Sequence, residues 1–156
     1  MKLHLGVIDH PYAYPQPAPR KGKRKPRKSV PSISTYDVAE ILEAKYHVMQ
    51  NFFEIDKLFV LRSLEQGLAG ALEDLLQGAP ASGDPFASAG DDIGDRFKQW
   101  LSMGGPEKIG YPGVPTAAAL AGVNHRLLHP YAKANKRRPS FIDTGQYQAA
   151  FKAWVD

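Results

Sequence analysis

The feature that most constrains the fold is a stretch near the start of the chain in which proline recurs without helical or strand periodicity. Six prolines fall within it, at Pro11, Pro15, Pro17, Pro19, Pro26 and Pro31. Proline lacks a backbone donor and disfavours helix, so an extended or polyproline path is expected there. The sequence therefore predicts a strand within residues 1–10, an extended arm over residues 11–33, and a single folded domain over residues 34–156.

The arm also carries the largest concentration of positive charge. Seven cations lie within nine residues: Arg20, Lys21, Lys23, Arg24, Lys25, Arg27 and Lys28. Removing these seven from the 20 basic residues leaves 13 against 16 acidic ones, so the rest of the chain is mildly acidic. A cationic extended segment can contact nucleic-acid phosphates, cross an acidic neighbouring subunit, or remain a solvated tail. All three interpretations stay open from the sequence.

Composition excludes several classes of protein. The chain has no cysteine, which rules out disulfides, thiolate zinc sites and cysteine nucleophiles. The first residues lack the apolar run of a signal peptide, and no stretch approaches the roughly 20 apolar residues of a membrane span. The sequence predicts a soluble protein made in a reducing cytoplasm.

Three of the four predicted helices have recognisable starts. The first begins at Ser34 or Thr35, either of which can cap it. A later helix begins at Asp91 or Asp92, follows a loop, and carries four large apolar residues on one face: Ile93, Phe97, Trp100 and Leu101. The last covers residues 116–128 and ends where a proline follows.

The remaining helix is the longest and is predicted over residues 56–77, with Gly78 ending it. Its apolar residues recur at spacings of three and four and form one stripe, the pattern of a helix that buries one face: Leu58, Leu61, Leu64, Leu68, Ala71, Leu72 and Leu75. Gly67 and Gly70 weaken its interior by about 1 kcal/mol each, unless neighbouring backbone packs closely there.

The two ends of the chain read as strands. Leu3–Ile8 is short and mostly alternating, and Phe151–Val155 closes the sequence. The two strands are expected to pair, which brings the ends together. The predicted fold class is α+β, with several helices packed on a small antiparallel sheet.

Asp143-Thr144-Gly145 is the tripeptide of aspartic proteases, but that mechanism needs a second carboxylate and further strands after the motif. The chain contains no second copy, and 11 residues follow Gly145. A capped turn is the simpler interpretation, in which Asp143 or Thr144 accepts backbone N–H groups and Gly145 permits the bend.

Other polar clusters also favour structural roles. His125 and His129 are four residues apart, as on a zinc-binding helix, but the sequence offers no third ligand. Three carboxylates at the start of the third helix complement its dipole: Asp91, Asp92 and Asp95. We predict no enzymatic activity, no cofactor and no metal. A second basic loop, available to a partner or to DNA, contains Lys133, Lys136, Arg137 and Arg138.

The order of the segments is informative. The strand Lys2–Ile8 precedes a helix that opens with Tyr36-Asp37-Val38-Ala39-Glu40-Ile41-Leu42-Glu43, and a Pro/Thr segment spans Pro112 to Thr116. Near the end comes Arg138-Pro139-Ser140-Phe141-Ile142-Asp143-Thr144-Gly145-Gln146-Tyr147, followed by a terminal apolar segment. This order resembles the tail-completion and head–tail joining proteins of long-tailed bacteriophages, the minor tail protein Z class. In that family an Asp-Thr-Gly turn leads into the last strands.

The resemblance implies a structural protein of the phage neck or tail end that assembles with copies of itself in a ring. Implied partners are connector, tail-terminator or tail-tube proteins and DNA in the channel, with no membrane. The implied location is the virion, after synthesis in the host cytoplasm. Two alternatives stay open: another minor virion protein such as a head-completion adaptor, and a small nucleic-acid-binding module using residues 20–28 and 133–138.

Overall fold

A computed structural model describes residues 2–12, 33–79 and 83–156 of the chain. The cationic run at residues 20–28 and most of the predicted arm lie outside the described residues. The elements follow in the order β1 (Leu3–Val7), α1 (Thr35–Tyr46), α2 (Val48–Leu76), α3 (Ala87–Ser102), α4 (Gly105–Ile109), α5 (Ala117–Leu120), α6 (Gln146–Ala150) and β2 (Phe151–Val155).

The predicted pairing of the two terminal strands is confirmed. β1 and β2 run antiparallel, with Leu3 opposite Val155 and Val7 opposite Phe151. The ladder continues one step outward, where the backbone N–H of Lys2 donates to the carbonyl of Asp156 at 2.8 Å. Helices pack on this two-stranded sheet, so the α+β class is confirmed as well.

Ser34, rather than Thr35, caps α1. Its hydroxyl accepts the backbone N–H of Asp37 at 3.2 Å, and the Asp37 carboxylate accepts the backbone N–H of Ser34 at 2.8 Å, which makes a reciprocal capping box. Thr35 is fully buried, and its hydroxyl bonds the segment that follows β1. Its hydroxyl donates to the carbonyl of Ile8 and accepts the backbone N–H of His10, so the segment after β1 is tied to the start of α1.

The long helix α2 begins eight residues before its predicted start. His47, in the left-handed region at φ 48°, separates it from α1. The Glu43 carboxylate crosses this break and accepts the backbone N–H groups of Met49 at 2.8 Å and Gln50 at 3.2 Å. Asp56, the predicted first residue, is instead a kink inside the helix. Burial of Met49 and Phe52 explains the earlier start, which leucine spacing could not reveal.

The predicted apolar stripe of α2 is not the face that packs on the core. The buried face carries Phe52, Asp56, Val60 and Ser63, whereas most of the leucines of the stripe are exposed. α3 packs against the helix on its buried side. Within the described ranges, no helix is at once long and apolar enough to span a bilayer.

The two glycines inside α2 form a matched pair for a stability test. A Cβ added at Gly67 would lie 2.8 Å from the carbonyl oxygen of Pro85, whereas one added at Gly70 would meet nothing within 4 Å. Gly70→Ala is therefore expected to stabilise the protein by up to about 1 kcal/mol. Gly67→Ala is expected to destabilise it, because the Pro85 backbone must move. Denaturant unfolding of both variants checks this, and a stabilising Gly67→Ala would contradict the close approach.

The core forms where α3 meets α2 and β2. The predicted apolar face of α3 is confirmed, since Ile93, Phe97, Trp100 and Leu101 are all buried. The start of α3 was predicted wrongly: it begins at Ala87, so the three nearby carboxylates lie beyond its first turn. Two of those carboxylates face cations, with Asp95 2.8 Å from Lys98 and Asp91 3.3 Å from Lys152.

The helix predicted over residues 116–128 was also largely wrong. Thr116 does act as a cap, accepting the backbone N–H of Ala119 at 3.2 Å, but α5 ends at Leu120. Gly122 then turns the chain at φ 66°, and the backbone of Asn135 and Lys136 crosses so closely that a Cβ there would clash. A continuing helix would occupy the space of that crossing segment.

Candidate functional site

The basic residues predicted to contact a partner occupy different environments. Residues 20–28 lie outside the described residues. Lys133 and Lys136 are exposed and form no ion pair with a described acidic residue. Arg137 is exposed but pairs with Glu107, its Nη2 atom 2.5 Å from Oε2. Arg138 is largely buried. Lys133 and Lys136 are thus exposed without an ion pair to a described residue, and the partner contacts predicted for all four cations stay predictions.

The side chain of Arg138 is largely buried and joins segments of the loop region, the stretch between α5 and α6. Only 13% of its side chain is exposed. Its guanidinium donates to the carbonyls of Ile142 at 2.5 Å, of Pro139 at 3.2 Å and of Val123. Its backbone N–H also donates to the carbonyl of Ala119 at 3.1 Å. Arg138 thus joins the segment after α5 to the Asp-Thr-Gly turn, and its contact with a partner or DNA stays a prediction.

Glu107 of α4 forms a second internal junction, which no sequence pattern signalled. Its Oε1 atom accepts the hydroxyl of Ser140 at 2.9 Å and the backbone N–H of Ser140 at 3.0 Å. The Ser140 hydroxyl oxygen also accepts the backbone N–H of Thr116 at 3.1 Å. Burial alone would raise the pKa of Glu107, but the hydrogen bonds from Ser140 and the charge of Arg137 outweigh it and lower the pKa.

This lowered pKa predicts an acid-sensitive contribution to stability. The ordinary pKa of Glu107 is 4.5 and the folded value lies below it, so the carboxylate stabilises the fold fully above 4.5 and progressively less as the pH falls through the folded pKa. Unfolding free energies measured between about pH 3 and pH 7 should therefore converge for wild type and Glu107→Gln at the acid end. Glu73→Gln, at an exposed position of α2, is the control. A constant difference across the range would contradict the assignment.

Of the two residues predicted to cap the turn, Thr144 accepts a backbone N–H within it and Asp143 does not, and Gly145 makes the predicted bend. α6 begins after Gly145, which lies at φ 77° and gives no side-chain cap. The Thr144 hydroxyl accepts the backbone N–H of Gln146 at 3.4 Å. Phe141 enters this turn at φ 65°, an unusual conformation for a bulky residue, and packs its ring 4.9 Å from that of Tyr46.

Asp143 instead binds His125. Its Oδ1 atom accepts the backbone N–H of His125 at 2.9 Å, and its Oδ2 atom lies 2.5 Å from the imidazole Nδ1. The other imidazole nitrogen lies 3.0 Å from the hydroxyl of Tyr131. His125 and His129 do not share a helical face, because α5 ends before either of them. No group of three potential metal ligands occurs in the part of the chain that the structure describes.

The hydrogen-bonded group of Asp143, His125 and Tyr131 links loop segments to each other. Its geometry can also orient a proton. With Nδ1–H donating to Asp143, Nε2 is left to accept from the Tyr131 hydroxyl. Asp143 is also approached by the guanidinium of Arg138, with Nη2 3.9 Å from Oδ1. The carboxylate therefore joins two loop segments and the buried arginine, and we interpret the group as holding the loop in shape.

Two surfaces outside this loop region expose apolar groups. One is the leucine stripe of α2. The other is an open cleft of about 510 Å³ beside the sheet, lined by Val7, Tyr36, Ala39, Met49 and Trp154 among others. Open, mostly apolar surfaces of this kind suit contact with another protein better than capture of a small polar ligand.

Comparison with protein-family models, with curated proteins and with solved structures finds no match to this chain.

Proposed function

We propose that the chain is a structural subunit of a tailed-phage particle, acting at the neck or tail end in tail completion or head–tail joining. The observation that carries the proposal is the arrangement of the C-terminal segment. The Asp-Thr-Gly turn leads directly into α6 and β2, and β2 pairs with β1. This is the arrangement expected from the resemblance to the minor tail protein Z class.

The surface of the domain supports an assembly role. Exposed leucines line α2, and an apolar cleft lies beside the sheet. Large exposed apolar areas on a folded domain mark sites of contact with other proteins. The proposed partners are further copies of the chain in a ring and the adjacent connector, tail-terminator or tail-tube proteins, and the proposed location is the virion.

Electron microscopy of the purified full-length protein tests this function. The proposal expects closed rings, or decoration of the ends of isolated phage tails. Deleting residues 20–28 tests the role of the arm, with the prediction that infectious particles fail to complete. Protein that neither forms rings nor binds tail ends would overturn the proposal, and normal particle assembly by the deletion would overturn the joining role of the arm.

A second candidate, a small nucleic-acid-binding module, rests on the cations alone. Those of residues 20–28, with the exposed Lys133 and Lys136, could neutralise phosphates and release counterions. Duplex DNA binding with a steep salt dependence, weakened by a Lys133→Gln/Lys136→Gln double variant, would favour this function. Lys108→Gln is the matched control, since Lys108 is exposed on α4. Binding that both sets of substitutions reduce equally would show only general charge attraction.

A further inference from the structure

The exposed face of α2 has the spacing of a coiled-coil seam. Alternating steps of three and four residues connect Leu58, Leu61, Glu65, Leu68, Leu72 and Leu75. In a heptad these are consecutive a and d positions over two and a half repeats, with Glu65 as the one polar member. The kink at Asp56 precedes the first of them, so the whole seam lies on one continuous stretch of helix.

The seam faces away from the protein's own core. At 100° per residue, its centre lies well around the helix from the buried face of Val60 and Ser63. The five leucines of the seam expose between 45% and 72% of their surface. Covering them would bury about 1,000 Å² over two chains, the lower limit for a specific interface. The described parts of the domain pack on the other side of α2, so they leave room for a second helix at the seam.

Glu65 decides in which direction a second copy fits. A second copy laid parallel would place Glu65 against Glu65 in the same a layer, and like charges that face each other at an apolar seam are unfavourable. In a second copy laid antiparallel, the two Glu65 side chains lie in different layers of the seam.

The antiparallel arrangement also matches the apolar positions. With a two-fold axis between residues 66 and 67, Leu58 faces Leu75 of the second copy, Leu61 faces Leu72, and Glu65 faces Leu68. Every a position then meets a d position, which is the packing of an antiparallel coiled coil. Glu65 is a polar group at an otherwise apolar seam, which lowers affinity and helps to select one register.

We propose that two copies of the chain associate through an antiparallel two-fold pairing of α2 along this seam. The inference stands on α2 alone and does not depend on the proposed neck function. A two-fold contact is isologous, so it cannot by itself close a larger ring. In a ring assembly, the repeating unit would be a pair of chains, or two rings would meet face to face.

Sedimentation equilibrium of the full-length protein over a range of concentrations tests the association. Wild type is expected to show a monomer–dimer equilibrium. Leu68→Lys is expected to weaken it by at least about a hundredfold, since both copies carry the unpaired charge. Ile41→Lys is the control, because Ile41 is an apolar residue on α1 that is at least as exposed as Leu68 and lies away from the seam. Circular dichroism of each variant verifies folding.

Glu65→Leu supplies a test that misfolding cannot imitate. Replacing the polar group completes the seam, so dimerisation is expected to strengthen about tenfold or more. Wild type that stays monomeric, with Glu65→Leu monomeric as well, would overturn the proposal. A dimer that Leu68→Lys and Ile41→Lys weaken equally would place the contact elsewhere and overturn it too.

Cross-linking of introduced cysteines tests the direction. The chain has no cysteine, so each introduced thiol is unique. Leu58 and Leu75 are about 25 Å apart along the helix. In the antiparallel pair, a mixture of Leu58→Cys and Leu75→Cys chains should form the mixed cross-link, and neither variant alone should link efficiently. Efficient self-linking of each variant would indicate a parallel pair and overturn the proposed register.

Discussion

Phe97→Ala is expected to lower the free energy of unfolding by about 3–5 kcal/mol. Phe97 is fully buried, and its ring stacks on that of Phe151 with centroids 3.9 Å apart. The rings of Phe52 and Tyr147 pack against it in T-shaped geometry, with centroid distances of 5.1 Å and 6.0 Å. Removing this ring leaves a cavity at the point where α2, α3, α6 and β2 meet, and close-packed neighbours collapse into such a cavity only in part.

Urea unfolding followed by circular dichroism measures this loss. Phe59→Ala is the control, because Phe59 lies on α2 but is more than one-third exposed, and its removal should cost about 1–2 kcal/mol. Where Phe97→Ala is too unstable to measure, Phe97→Leu gives a smaller effect in the same direction. Equal losses for Phe97→Ala and Phe59→Ala would contradict the placement of the core.

Arg138→Met is expected to cost about 2–4 kcal/mol. Methionine keeps much of the apolar stem but has no donor for the three carbonyls that the guanidinium satisfies. Arg138→Lys should recover only part of the loss, since an ammonium group lacks the planar fork that reaches several acceptors at once. The segment after α5 and the Asp-Thr-Gly turn would then be less firmly joined.

Arg137→Met is the control for Arg138, since the neighbouring side chain is 56% exposed and its ion pair with Glu107 is worth about 1 kcal/mol or less. Denaturant unfolding gives both values. Amide exchange in residues 119–124 and 139–145 should accelerate in Arg138→Met only. If Arg138→Met kept wild-type stability while losing partner or DNA binding, the contact role predicted from the sequence would replace the structural one.

Local signals in the sequence predicted part of the fold correctly. Ser34 or Thr35 was expected to cap α1, and Ser34 does so. The apolar face of α3 and the pairing of the terminal strands followed from periodicity and alternation. In each case the physical cause lies within a few residues of the signal, or in a pattern that permits only one buried face.

The errors share a different cause, which is contact between residues distant in sequence. α2 carries apolar residues on more than one face, and the position of α3 decides which face is buried. The helix predicted after Thr116 stops because the backbone of Asn135 and Lys136 crosses at Gly122. Glu107 and Ser140 are 33 residues apart. No local pattern marks either as the other's partner.

The pairing of β1 with β2 links the sheet to the order in which the chain is synthesised. Residues 3–7 leave the ribosome well before their partner strand, which consists of residues 151–155. At about 5–20 residues per second, β1 waits on the order of ten seconds before it can pair. A chain that stops before residue 151 leaves β1 with an unpaired edge, which is a template for aggregation. Release of nascent chains truncated at successive lengths should therefore show a sharp gain in protease resistance only once residue 155 is present.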